Sequence, residues 1–228
     1  MNILIIGATS GIGNSLWRHY TSEGHNVAVF GRRKKLLQEM EANCPELTHT
    51  ECCDISVASQ LESAIASAHR RLRNIDIAII CAGTGELNPL LDIATEQDTI
   101  ATNVTGWTIA VDMLYLIFER QGYGHLVTVT SVGGLQPTPV APSYSASKAY
   151  QINYTKSLRR KARGTGITVT EIRPGLVDTR MAKGDGLFWV MPLPKVTAQI
   201  AKAIRRKSKC RVVTNRWRIL NFILRHFS

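Results

Sequence analysis

The sequence predicts an α/β protein: a single doubly wound domain over residues 1–228, with a parallel seven-stranded sheet and helices on both faces. Three observations predict it. Short aliphatic runs alternate with stretches of helical spacing along most of the chain, a rhythm that implies right-handed crossovers between parallel strands. The first run stops at a turn containing Gly7, Gly11 and Gly13 that opens a helix. The length of 228 residues suits one large domain burying roughly 70% of its unfolded surface. Linkers, low-complexity tracts and internal repeats are all missing from it.

Each element has its own signal. Asn2–Ile6 is an aliphatic run ended by Gly7, the pattern of a strand buried on both faces. A helix is predicted over 11–23, with Gly24 as its stop. Residues 26–30 repeat the strand pattern and close at Gly31. Residues 32–42 have helical spacing, with Leu36, Leu37 and Met40 on one side. Thr48–Cys52 is the third strand, and Ser56 is a plausible cap for a helix through Arg71. Residues 75–80 form a fourth strand broken at Ala82-Gly83, and 95–119 read as one long helix. A fifth strand over 126–130 precedes a helix from 142 to about 163. Residues 167–172 form a sixth strand, stopped by Pro174-Gly175. Six of the seven expected strands are placed in this way.

Composition narrows the function classes. No segment reaches the ~18 apolar residues that cross a bilayer. The first strand starts at Asn2, which leaves no room for a signal peptide, so a cytoplasmic protein is expected. Five cysteines (Cys44, Cys52, Cys53, Cys81, Cys210) lack CxxC spacing. They read as reduced packing residues, and no metal site is expected. The net charge of +11 is uneven: residues 1–185 carry 18 Lys/Arg against 17 Asp/Glu, whereas 186–228 carry 10 Lys/Arg and no acid. Such asymmetry suits either an anionic partner or a solvated basic face.

Two clusters carry chemistry. In Gly7-Ala8-Thr9-Ser10-Gly11-Ile12-Gly13, glycines let the backbone turn sharply and approach a pyrophosphate, which a helix N-terminus then holds. The second strand ends in Phe30-Gly31-Arg32-Arg33, with no acid to accept from an adenosine ribose. Guanidinium groups there can pair with a 2′-phosphate, so NADP(H) is expected over NAD(H). The alternative is that Arg32 and Arg33 are solvated residues opening a helix. Farther along, Tyr144 and Lys148 lie one helical turn apart on a shared face, and Ser131 ends the preceding strand. A nearby ammonium favours phenolate, so the pair can exchange a proton with a carbonyl or alcohol oxygen that Ser131 orients. No G-x-S-x-G surrounds Ser131 and no metal-spaced histidine pair exists, so other nucleophile chemistry is not favoured.

The G-x-x-x-G-x-G spacing, with Ser131 and Tyr-x-x-x-Lys in order behind it, resembles the short-chain dehydrogenase/reductase family over residues 2–180. The resemblance implies a Rossmann fold and hydride transfer between nicotinamide and a carbonyl or alcohol. It assigns Asn103, Ser131, Tyr144 and Lys148 to catalysis. Asn103 would hold a water linking Lys148 toward solvent, and Lys148 would also bind the nicotinamide ribose. The cofactor would lie along Gly7, Thr9, Ser10, Gly11, Ile12, Gly13, Arg32, Arg33, Asp54, Ile55, Ala82, Gly83, Tyr144, Lys148, Pro174, Gly175, Val177 and Thr179. Asp54 would contact the adenine; on its own it reads equally as a cap or turn residue. The chain departs from the family at Ile6, where a threonine is usual, and at Ile80 and Cys81, where asparagines are usual. The resemblance also implies a homo-oligomer built through the long helices.

The segment 179–194 contains Leu187-Phe188-Trp189-Val190-Met191 and reads as a lid for a hydrophobic ketone or aldehyde. It could equally pack on its own core or on a subunit. The end, 215–228, is a basic amphipathic tail with Trp217 and Phe222. It suits a peripheral membrane contact or packing on protein. Nucleic acid is not expected, for lack of aromatic–basic interleaving. Two rival functions remain: a nucleotide sensor without chemistry, and an epimerase that retains NAD.

Overall fold

The computed structural model describes residues 1–179, 189–213 and Trp217. Its sheet grows from a period of two. In β1 (Asn2–Ile6) Leu4 and Ile6 turn to one face, and Ile3 and Ile5 to the other. In β2 (Asn26–Gly31) Ala28 and Phe30 join the first set, and Val27 and Val29 the second. A strand with two apolar faces needs a helical layer on each. The layers are supplied by α1 (Gly11–Ser22), α2 (Lys34–Asn43) and α7 (Leu193–Arg205) on one side. On the other lie α3 (Ala58–Leu72), α5 (Trp107–Gln121) and α6 (Pro142–Lys161).

The remaining strands are β3 (Thr48–Cys52), β4 (Ile77–Ile80), β5 (Gly124–Val129), β6 (Ile167–Pro174) and β7 (Cys210–Val213). All seven pair in parallel, in the order β3-β2-β1-β4-β5-β6-β7. The order reverses between β1 and β4. The loops leaving those two strands diverge to opposite faces, and a ligand crevice opens at their carboxyl ends.

Local signals explain most helices. In α3 the buried residues Leu61, Ala64, Ile65, Ala68 and Leu72 follow helical spacing. In α6, Pro142 sits in the first turn, where its missing N–H costs nothing. Two of the expected helices differ from the structure. Ser56 does not cap α3; its hydroxyl and N–H both donate to Asp54 Oδ1, and the helix starts at Ala58. The helix expected over 95–119 is α4 (Ile93–Ile100), a π-helical turn (Ala101–Gly106) and α5. Asp92 starts it by accepting the Thr95 N–H at 2.9 Å. By length and composition, residues 93–121 would also suffice to cross a membrane. Their apolar character serves the core: Trp107, Val111, Leu114 and Phe118 are fully buried.

Only β7 and α7 lay unplaced in the sequence. Cys210–Val213 pairs with the end of β6 and fixes the Arg173-Pro174-Gly175 corner, where Gly175 N–H donates to Val213 O at 2.9 Å. Beneath that corner is a buried ion pair. Arg173 is 2% exposed and donates to Glu171 Oε1 from Nε at 2.9 Å and Nη2 at 2.6 Å; Thr130 Oγ1 donates to the same oxygen at 3.0 Å. Glu171→Ala would remove the carboxylate that compensates a buried guanidinium. It is expected to lower unfolding free energy by about 3–5 kcal/mol, read from urea denaturation.

Candidate active site

The glycine turn brings β1 against β4. Gly7 has φ +87°, and a Cβ there would lie 2.5 Å from the Ala82 nitrogen. At Gly13 a Cβ would lie 2.3 Å from the Gly7 carbonyl oxygen. The turn therefore needs both glycines, one for its left-handed conformation and one for contact. Ser10 opens α1 in extended conformation without a side-chain cap, so the first turn of the helix presents its N–H groups. This cradle and helix terminus fit a pyrophosphate.

Beside it, Arg33 folds back over the turn. Its Nε and Nη2 donate to Thr9 Oγ1 at 3.0 and 2.7 Å, and Nη2 donates to Ser10 Oγ at 2.7 Å. Arg32 is more exposed and reaches Asp54 Oδ2 at 3.4 Å. Two guanidinium groups and two hydroxyls thus converge at the end of β2. Asp54 itself is held by Ser56 and Arg32 in a turn, so its turn role is realised in this geometry.

A cavity of about 1340 Å³ runs from this cluster along the carboxyl ends of the strands. Its wall includes Gly7, Thr9, Ser10, Gly11, Ile12, Gly13, Arg32, Arg33, Ile55, Ala82, Gly83, Ser131, Tyr144, Lys148, Pro174, Gly175, Val177 and Thr179. Two of the expected site residues, Asn103 and Asp54, are not on that wall.

At the far end, β5 delivers Ser131, whose Oγ accepts the Gly133 N–H at 3.0 Å and hydrogen-bonds Tyr144. The Tyr144 ring is half-buried between glycines; a Cβ on Gly85 would meet it at 2.5 Å and one on Gly133 at 3.3 Å. One turn along α6, the Lys148 ammonium lies 5.9 Å from the centre of that ring. It donates to Gln151 Oε1 at 2.9 Å and lies 3.5 Å from Val129 O. Cys81, where the family usually has asparagine, lines the same cavity.

The electrostatics correct one expectation. Burial pushes the Tyr144 phenol above its ordinary value, while the Ser131 hydrogen bond pulls it back; no lowering by Lys148 is evident. The reason is twofold. The ammonium lies over the ring, 5.9 Å from its centre, and is bonded to Gln151, and its own burial pulls Lys148 down to about 8.

Asn103 is fully buried. Its Oδ1 accepts the Thr84 N–H at 2.8 Å, and its Nδ2 donates to Thr84 O at 2.7 Å and Ser147 Oγ at 3.1 Å. Its main-chain oxygen accepts from Gln151 Nε2 at 2.8 Å. Sequence reasoning missed Gln151, although its position three residues after Lys148 puts both on one helix face.

The lid and tail lie partly outside the described residues, 180–188 and 218–228 among them. The lid's two ends are tied: Val177 bridges Met191, and Asp178 N–H donates to Met191 O at 2.9 Å. Leu193 already belongs to α7. From the tail, Trp217 is buried on Gly175, whose added Cβ would lie 2.2 Å from the indole. Its ring meets Trp189 edge-on at 6.0 Å.

Comparisons with known proteins agree with this geometry. The chain is 30% identical over 183 residues to an uncharacterized oxidoreductase of Staphylococcus epidermidis, covering 79% of this chain and 80% of that one. It is 29% identical to the NADP-dependent 3-hydroxy acid dehydrogenase of Escherichia coli K12, covering 78% and 73%. Among solved structures, the closed form of serine dehydrogenase complexed with NADP+ superposes with a TM-score of 0.83 at 26% identity, covering 89% and 88%. The family model for short chain dehydrogenases matches residues 1–186, well over half the length, and the chain therefore belongs to that family.

Proposed function

We propose that this enzyme is an NADP(H)-dependent reductase of a hydrophobic ketone or aldehyde, with Tyr144 as proton donor. One observation carries the reading: the Ser131–Tyr144–Lys148 group closes the same cavity whose other end is the glycine turn and arginine cluster. Bound NADPH would supply hydride to the carbonyl carbon. Gly7, Gly11 and Gly13 would hold its pyrophosphate, and Arg32 and Arg33 its 2′-phosphate. Two relatives support the cofactor by name, one NADP-dependent and one complexed with NADP+.

The chain's own residues do the rest. Ser131 holds the carbonyl oxygen within reach of the Tyr144 hydroxyl, which donates its proton as charge develops. The Lys148 ammonium, 5.9 Å from the centre of the Tyr144 ring, would bind the nicotinamide ribose and so place the hydride against the carbonyl carbon. Leu87, Val132, Pro137, Val177, Leu193 and Trp217 give the Tyr144 end an apolar wall that suits a hydrophobic substrate. A sensor without chemistry has no need of this arrangement. The test is a panel of ketones, aldehydes and 3-oxo acids assayed by NADPH absorbance, with NADH as control. No turnover on any of them would refute the reading.

The pH dependence follows from burial. Lys148 is pulled down to about 8, so its charge is present below that pH and lost above it. Tyr144 is pushed the other way and stays protonated throughout. Reductive kcat/KM is therefore expected to be level from pH 6 to about 8 and to fall about tenfold per unit beyond. A profile still flat at pH 10 would contradict the role given to Lys148.

A further inference from the structure

We propose that Gln151 is a positioning residue for catalysis, its side-chain amide tying the Lys148 ammonium to the main-chain carbonyl of Asn103. The inference rests on the carbonyl-reduction reading above, because it explains how the cation of that reaction is held.

Gln151 is 0% exposed, Asn103 0% and Lys148 4%. A buried primary amide is costly unless both its ends are bonded, and here both are. Oε1 accepts from Lys148 Nζ at 2.9 Å, and Nε2 donates to Asn103 O at 2.8 Å. The partners dictate which atom is which, since an ammonium can only donate and a carbonyl can only accept. The two elements that meet here are rigid. α6 places Gln151 on the face of Lys148, and the π-helical turn presents the Asn103 carbonyl, its side chain locked by Thr84 and Ser147. Insertion of one residue into a helical turn commonly marks a functional position. A leucine would fill the same space, but it would leave both the ammonium and the carbonyl without this partner.

The bridge works on Lys148 as a neutral dipole aimed at a cation. The titratable groups near that cation are Tyr144 on its own helix and the buried Cys81 thiol, itself pushed up to about 12. The charged groups of the other packed elements are turned to other partners. The π-helical turn and the 3₁₀ turn Val132–Gly134 hold no titratable residue. Glu96 of α4 is engaged by Asn88 and the Ser143 N–H, and Glu171 of β6 by Arg173. Gln151 therefore sets how firmly the proton stays on Lys148 and where Nζ points.

The test reads Lys148 directly. In protein labelled with ¹⁵N-lysine, the Nζ resonance is assigned by its loss in Lys148→Arg and titrated without nucleotide. Gln151→Leu is expected to lower the midpoint by about one pH unit, and Gln151→Glu to raise it by about one. The upper limb of reductive kcat/KM moves with it in each variant, while KM for NADPH stays within about threefold. Should Gln151→Leu not fold, the upward shift in Gln151→Glu decides alone. Midpoints unchanged from wild type in the folded variants would overturn the proposal. Shifted midpoints in a protein that reduces no carbonyl would uphold the bridge and refute the reaction instead.

Discussion

Tyr144→Phe is expected to lower kcat for carbonyl reduction by about 10²–10⁴-fold. The substitution removes one oxygen and keeps the ring, which is packed between Gly85 and Gly133. No cavity forms and no new bulk meets those glycines, so folding should be preserved. Ser131 keeps its bond from the Gly133 N–H at 3.0 Å and remains able to orient the substrate oxygen. What disappears is the proton donor itself. Water reaching the site would protonate the alkoxide slowly, and the remaining rate would come from positioning and hydride proximity. Affinity for NADPH, measured calorimetrically, should change by less than about threefold, since the phenol's main partner here is Ser131. A variant retaining more than a tenth of wild-type turnover would show that another group gives the proton.

Arg33→Ala has the second largest expected effect, and it falls on the cofactor. Charge-assisted bonds to a phosphate contribute about 1.5–3 kcal/mol, or roughly 10–100-fold in KM for NADPH. Arg33 also braces the glycine turn through Thr9 and Ser10. NADH uses the same turn but has no 2′-phosphate, so its KM separates the two roles. An increase confined to NADPH assigns Arg33 to the phosphate. Equal increases for both nucleotides would make it a brace only and would withdraw the NADP(H) preference from this residue. Arg32, already drawn toward Asp54 at 3.4 Å, is expected to matter less.

Much of this was legible in the chain because it depends on spacing. Apolar residues on both faces of Asn2–Ile6 announced a strand between two helical layers. The spacing of Gly7, Gly11 and Gly13, and of Tyr144 and Lys148, survives into three dimensions because turns and helices are local structures. Other features depend on what meets across the fold. The residues of the π-helical turn Ala101–Gly106 continue the helical pattern on either side, and only the resemblance, which puts a helix-distorting asparagine at Asn103, hinted at it. At its end Gly106 packs on the Ile55 carbonyl, where a Cβ would lie 2.2 Å from the oxygen. Cys210–Val213 hid within a run of lysines and arginines, and it becomes a strand only because β6 offers an open edge. The direction of the Tyr144 shift was misjudged for the same reason: the neighbouring charge is visible in the sequence, but burial is not. Gln151 could have been found by spacing, yet only the Asn103 carbonyl opposite gives it a purpose.

The indole of Trp217 on Gly175 makes the protein its own optical instrument. Trp17 and Trp107 are sealed in the interior, where they give a constant background. Trp217 lines the catalytic cleft and stands in contact with the exposed Trp189. Ultraviolet light absorbed there can pass to a reduced nicotinamide as blue emission, so nucleotide arrival and departure can be timed on the unlabelled chain.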